Sequence, residues 1–126
     1  MLFLAPSQIH GIGVFSGEVI EPGLFHSAHI MTLDDEELSV VRRTKFGRLL
    51  YGYGENQAGL ALTPMTLANH SSTPNATFEI DEMSKTITFT ALARIEADEE
   101  ITIDYKSLAI LLGLEQPTLV VRSYQP

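Results

Sequence analysis

The sequence contains no cysteine. Disulfides are thereby excluded, as is any zinc site built on thiolates. Basic residues are also scarce, with 8 Lys and Arg against 16 Asp and Glu and a formal net charge of −8. A nucleic-acid-binding surface needs clustered cations to neutralise phosphates, so direct binding to nucleic acid is not expected. The acids gather at Asp34-Asp35-Glu36-Glu37, Glu79-Asp81-Glu82 and Glu96-Asp98-Glu99-Glu100. Such clusters are either solvated surface charge or a field that draws a basic peptide. No apolar run approaches the roughly 18 residues that a bilayer span requires, so no membrane association is expected. The opening Met1-Leu2-Phe3-Leu4-Ala5-Pro6 has neither the charged nor the apolar region of a secretory signal. The expectation is a soluble intracellular protein. At 126 residues and 44% hydrophobic content, the chain has material for one core, expected as a single domain over 1–126.

What is present is mostly strand-forming sequence. Leu2 to Leu4, Gly13-Val14-Phe15 and Glu18-Val19-Ile20 are short apolar or β-branched pieces. Glu21-Pro22-Gly23 makes a turn, and Leu24 to Met31 should follow as a strand. Thr32-Leu33-Asp34-Asp35 fits a helix start with a hydroxyl cap, continued by Glu36 to Arg43 with cations at its end. Glycine-punctuated aromatic sequence from Phe46 to Leu62 predicts short strands and turns. Ala76 to Ile80 and Lys85 to Leu92 alternate as a hairpin around Asp81 to Ser84. Ile101-Thr102-Ile103 reads as a last strand, and Leu108 to Leu114 and Thr118 to Val121 are apolar enough to pack. Many short strands with one or two short helices predict a mainly β fold.

Three stretches hold the residue types from which chemistry is made. The first, Ser7-Gln8-Ile9-His10-Gly11-Ile12-Gly13, has glycines that let backbone approach a ligand closely. A G-x-G alone also describes an ordinary turn, and the remaining spacing of a dinucleotide fingerprint is missing. The second, Asn69-His70-Ser71-Ser72-Thr73-Pro74-Asn75, offers donors and acceptors on an irregular backbone. Asn69 and His70 are either ligand contacts or a turn-stabilising Asn and a satisfied structural His. The third, Glu99-Glu100-Ile101-Thr102-Ile103-Asp104-Tyr105, ends in a tyrosine that is either reactive or simply packed. His10, His26 and His29 are not read as metal ligands, because His26 and His29 should point to opposite faces of a strand.

Taken together, in this order and at these separations, the three stretches resemble the SET domain of protein-lysine methyltransferases. The resemblance covers about residues 7–105. It implies the SET or β-clip fold, several short curved sheets in which the second stretch threads a pseudoknot with the third. It also implies S-adenosyl-L-methionine as cofactor, contacted by Gly11, Ile12, Gly13, Asn69 and His70, and Tyr105 as the catalytic tyrosine beside the transferred methyl. Tyr51, Tyr53, Phe78, Ile103 and Tyr124 are the expected substrate-channel residues. Phe78 and Ile103 lack a hydroxyl, which suggests room for multiple methylation. The substrate expected is a basic protein or histone-like tail. Many family members complete this channel with a cysteine-rich zinc segment, which this chain lacks, as short viral and bacterial members do. Residues 106–126 or a second copy in a homodimer could close the site instead. The competing reading is a non-catalytic SET-like module that binds cofactor or a partner, since Lys106-Ser107 replaces the common glycine-containing continuation.

Overall fold

A computed structural model describes residues 1–105. Tyr124 and the apolar segments after Tyr105 lie outside the described residues. Among the described residues nine strands form two sheets. The smaller contains β1 (Leu2–Pro6), β2 (Ile12–Ser16), β6 (Asn69–His70) and β9 (Glu100–Ile103), in the order β1-β2-β9-β6. The larger contains β3 (Gly23–Leu33), β4 (Tyr51–Tyr53), β5 (Gln57–Ala61), β7 (Ala76–Asp81) and β8 (Thr86–Ala91), in the order β4-β5-β3-β8-β7. The expected Glu18 to Ile20 strand reduces to one bridge, Ile20 to Ile95.

β3 explains the curl of the larger sheet. Its first half pairs with β8 and its second half with β5, with a register shift between Leu24 and His26. A bulge of that kind bends a strand and increases its twist. The β7–β8 hairpin pairs without interruption from Ala76 opposite Ala91 to Asp81 opposite Thr86, and sets Phe78 across from Phe89. Aromatic pairs of this kind stabilise a sheet by about 0.2–1 kcal/mol each. Asp81 builds the turn, its carboxylate accepting the Met83 N–H at 2.9 Å and the Ser84 N–H at 3.4 Å.

Alternation along β8 and β9 sends Ile87, Phe89, Ile101 and Ile103 into a core completed by Val14, Ile30 and Met65, all fully buried. Each such side chain contributes about 1.5–3 kcal/mol by leaving water. Helix α1 (Asp35–Arg42) lies outside this core and buries only Leu38, against Leu50 and Ala58. Its cap is Asp34 and not Thr32. β3 keeps its register with β5 through Leu33, so the chain becomes free to turn only at Asp34. The Asp34 carboxylate accepts the Glu37 N–H at 2.7 Å, and the Glu37 carboxylate accepts the Asp34 N–H at 2.9 Å, a reciprocal capping box. The 3-10 helix Lys45–Leu49 replaces part of the expected strand and turn sequence, and a second, Pro64–Leu67, follows it. Thr44 and Thr63 cap them by accepting the N–H two residues on. Among the described residues no helix is long and apolar enough to cross a membrane.

His26 joins β3 to the second of these helices, its Nε2 lying 2.6 Å from the Thr63 hydroxyl. Burial lowers its pKa below the ordinary 6.5, because a charged imidazolium loses solvation there. The unfolded chain therefore takes up the proton first as pH falls, and His26 costs stability progressively below pH 6.5. His26→Gln is expected to flatten the fall in melting temperature on acidification from that pH. An unchanged slope would remove His26 as its source. His29, exposed on the same strand, lies away from this contact, and no group of three His, Asp or Glu among the described residues is placed to hold a metal.

Candidate active site

The site begins where two distant segments lie parallel. β6 pairs with β9 in parallel, Asn69 opposite Thr102 and His70 opposite Ile103, and the Ser71 N–H continues the ladder to the Ile103 carbonyl at 2.9 Å. Asn75 then crosses back over β9. Its Oδ1 accepts the Thr102 N–H at 2.9 Å, its Nδ2 donates to the Glu100 carbonyl at 2.8 Å, and its carbonyl accepts the Leu92 N–H at 2.8 Å. One side chain thus supplies a donor and an acceptor to the strand that another polypeptide segment would otherwise pair.

Asn69 is nearly buried. Its Nδ2 lies within hydrogen-bond reach of Glu100 Oε2 at 2.8 Å, the His10 carbonyl at 3.0 Å, the Ile12 carbonyl at 3.1 Å and the Ser7 hydroxyl at 3.1 Å. Two N–H groups are shared among four acceptors, so the charged Glu100 oxygen takes the largest share. The two carbonyls flank Gly11, whose φ of +49° suits a residue without a Cβ. Ser7 reinforces the loop, donating to Glu100 at 2.7 Å and accepting the Ile9 N–H at 2.8 Å. Asn69 therefore fixes the glycine loop with its amide.

Glu100 was hidden in the sequence as one member of an acidic run. The strand period was the available signal, since Ile101 and Ile103 point to the core and Glu100 to the other face. Its carboxylate rests on Gly13, where an added Cβ would lie 2.7 Å from the Glu100 Cδ and 3.1 Å from the Ser7 Cβ. Gly13→Ala is expected to push the carboxylate out of this clamp and to destabilise the fold by about 1–3 kcal/mol. Chemical denaturation would read that as a lower midpoint, and an unaltered midpoint would show that the clamp yields freely.

Tyr105 is held by His70 and Ala68 among the described residues. Its N–H donates to His70 Nδ1 at 3.0 Å, its ring packs on the His70 ring at 5.2 Å between centroids, and its hydroxyl donates to the Ala68 carbonyl at 2.7 Å. Because Nδ1 accepts an amide proton, the neutral imidazole carries its own proton on Nε2. Asp104 lies 3.7 Å from the same Nδ1, too far for a hydrogen bond, and the shorter amide contact decides the tautomer.

A cavity of about 260 Å³ opens among these parts. Gly11, Ile12, Asn69 and Tyr105 line it together, joined by Arg48, Thr66 and Leu67 from the two 3-10 helices. Gly13 and His70 are not part of this lining: Gly13 lies against the Glu100 carboxylate, and His70 accepts the Tyr105 N–H. Tyr51, Tyr53, Phe78 and Ile103 belong to the core cluster against which Tyr105 packs. Tyr51 reaches the lining through Thr66, its hydroxyl donating to Thr66 Oγ1 at 3.3 Å, while the Tyr53 hydroxyl meets that of Thr32. Arg48 was missed because its segment read as strand or turn, and Thr66 and Leu67 because their segment carried no pattern to read.

A SET-domain family model matches residues 11–106. Among solved structures, the chain resembles a candidate histone methyltransferase of Plasmodium falciparum at 29% identity and a TM-score of 0.69, over 82% of this chain and 91% of that one. It resembles Polycomb Repressive Complex 2 of Chaetomium thermophilum, in an autoinhibited conformation bound to S-adenosylmethionine, at 21% identity and a TM-score of 0.72. That likeness covers 93% of this chain and 16% of the longer one. A Neurospora SET-domain histone lysine methyltransferase matches at 18% identity and a TM-score of 0.64, over 82% of this chain and 51% of that one. The last two are too distant in sequence to speak for more than the fold. No curated protein matches the sequence. The family match spans most of the chain and contains the parallel β6–β9 pair, the glycine loop and Tyr105, and the chain belongs to the SET-domain family.

Proposed function

We propose that this chain is a protein-lysine N-methyltransferase that uses S-adenosyl-L-methionine and acts on a basic protein or histone-like tail. The observation that carries this reading is the convergence of Gly11, Ile12 and Asn69 with Tyr105 on one cavity. The lining fits the cofactor in kind. A Cβ at Gly11 would meet nothing within 4 Å, so the loop borders open space. Among the described residues no carboxylate lines the cavity, one arginine does, and Ile12, Leu49 and Leu67 give it apolar wall. Gly11, Ile12 and Asn69 would hold the cofactor, with His70 supporting Tyr105. When bound, S-adenosylmethionine supplies an electrophilic methyl group on a cationic sulfonium.

The protein's part is to align an amine and keep it neutral. A free lysine has a pKa of about 10.4, so exposing its neutral form near pH 7 costs roughly 4.6 kcal/mol. Burial against apolar side chains lowers that cost without a carboxylate base. Tyr105 commits its own proton to Ala68, so toward a further donor its hydroxyl acts as acceptor and can orient the amine. Tyr51, Tyr53, Phe78 and Ile103 back Tyr105 from the core and hold its ring in place. Alignment of this kind is worth several kcal/mol in a displacement reaction. The net charge of −8 favours a basic partner, and the candidate histone methyltransferase of Plasmodium falciparum points to the same substrate class. Calorimetric titration with S-adenosylmethionine tests the cofactor half of the proposal. Saturable one-to-one binding is expected, and no heat or binding at any concentration would refute it.

A further inference from the structure

The acidic balance of the chain hides one basic segment. Four of its eight Lys and Arg, namely Arg42, Arg43, Lys45 and Arg48, lie where helix α1 turns into the 3-10 helix Lys45–Leu49, and no acid occurs between Glu37 and Glu55. All four are exposed, and among the described residues none has a hydrogen-bond or ion-pair partner for its side chain. The other described cations are engaged. Arg94 pairs with Glu96 at 2.9 Å and Glu21 at 3.5 Å, and Lys85 donates to the Gln57 side chain at 3.0 Å and lies over the Tyr53 ring. Arg42 and Arg43 suit the negative end of α1, but Lys45 and Arg48 lie beyond it and answer no charge among the described residues.

The turn holds the four together. The Thr44 N–H and hydroxyl both donate to the Val41 carbonyl, at 2.9 and 2.7 Å, and the Gly47 N–H returns to the Thr44 carbonyl at 3.1 Å. Gly47 is buried there, and a Cβ on it would lie 3.0 Å from the Arg42 Cα. The 3-10 helix thus folds back against the end of α1, and Arg48 joins this basic corner to the cavity. Three guanidinium forks and an ammonium suit phosphate oxygens.

We propose that this corner grips the phosphate backbone of duplex DNA beside the site that takes a histone-like tail. The choice of partner rests on the substrate reading above, since histones are wrapped in DNA and their tails lie beside it. Phe46 is the segment's single aromatic, and one ring is too few for the stacking that holds single strands. The net charge of −8 opposes binding by the molecule as a whole, but at physiological salt charges more than about 8 Å away are largely screened. Release of counterions at the corner then drives the contact.

The test is fluorescence anisotropy of a labelled DNA duplex titrated with the full chain across salt concentrations. With one phosphate neutralised by each cation, affinity should fall on the order of 100-fold between about 50 and about 200 mM salt, a logarithmic slope of about −3.6. Arg42→Ala combined with Lys45→Ala should weaken binding and reduce that slope by about 2. Both side chains are exposed, so the variant should melt close to wild type and methylate a free histone-tail peptide as wild type does. No duplex binding at about 50 mM salt, or a variant with wild-type affinity and slope, would overturn the assignment. Equal or tighter binding of a poly-glutamate or a single strand of the same charge would overturn it too. Wild type that binds the duplex but methylates no histone peptide would instead overturn the substrate reading and leave the DNA contact in place.

Discussion

Tyr105→Phe is expected to lower methyl transfer by on the order of 100-fold while leaving the affinity for S-adenosylmethionine within about twofold of wild type. The ring would stay where it is. Its packing against His70 and the backbone bond to His70 Nδ1 do not involve the hydroxyl. The bond to the Ala68 carbonyl is lost, at a cost of about 1 kcal/mol in stability. Single-turnover rates beside equilibrium binding separate the two effects. A variant that transfers at the wild-type rate would show that Tyr105 packs without orienting the amine. One that loses both binding and transfer would make the tyrosine a structural prop of the cavity.

Asn75→Ala should be the most destabilising polar substitution in the fold, by roughly 2–4 kcal/mol. The side chain satisfies the Thr102 N–H and the Glu100 carbonyl on a strand whose side chains at Ile101 and Ile103 are fully buried. Removing it leaves both backbone groups without their partner and loosens the parallel pairing that places Asn69 opposite Thr102. Asn75→Asp would keep the acceptor and lose the donor, beside Glu99 at 3.4 Å from the original amide. It should therefore fall at least as far as half of the alanine loss. Urea denaturation gives the comparison, and a loss under about 1 kcal/mol for alanine would mean that water replaces the stitch.

Much of the architecture was legible because its signals are local. The β7–β8 hairpin alternates cleanly and has an aspartate to close its turn. Asn69, His70 and Tyr105 were singled out by the family resemblance of the strings that hold them, since local composition alone fits a structural Asn, a satisfied His and a packed Tyr equally well. Other features depend on partners far along the chain. Glu100 reads as surface charge until Ser7 and Asn69 arrive, from 93 and 31 residues away. Tyr51-Gly52-Tyr53 is buried on every residue, so a period-two pattern could not separate channel from core. Arg48 sits on a single 3-10 turn, a length at which propensity says little. The helix cap moved from Thr32 to Asp34 because strand pairing with β5, a tertiary interaction, held Thr32 extended.

In the proposed function the Asn69 wall holds a methyl donor and Tyr105 faces a lysine across it. Mass spectrometry of a histone-tail peptide, incubated with wild-type protein and S-adenosylmethionine and fragmented to locate the modification, tests this most directly. The predicted result is one or more methyl groups on a lysine side chain, absent when Tyr105→Phe replaces wild type over the same interval. Cofactor bound at the site with no methyl on any lysine of histones or of a cell lysate would contradict it.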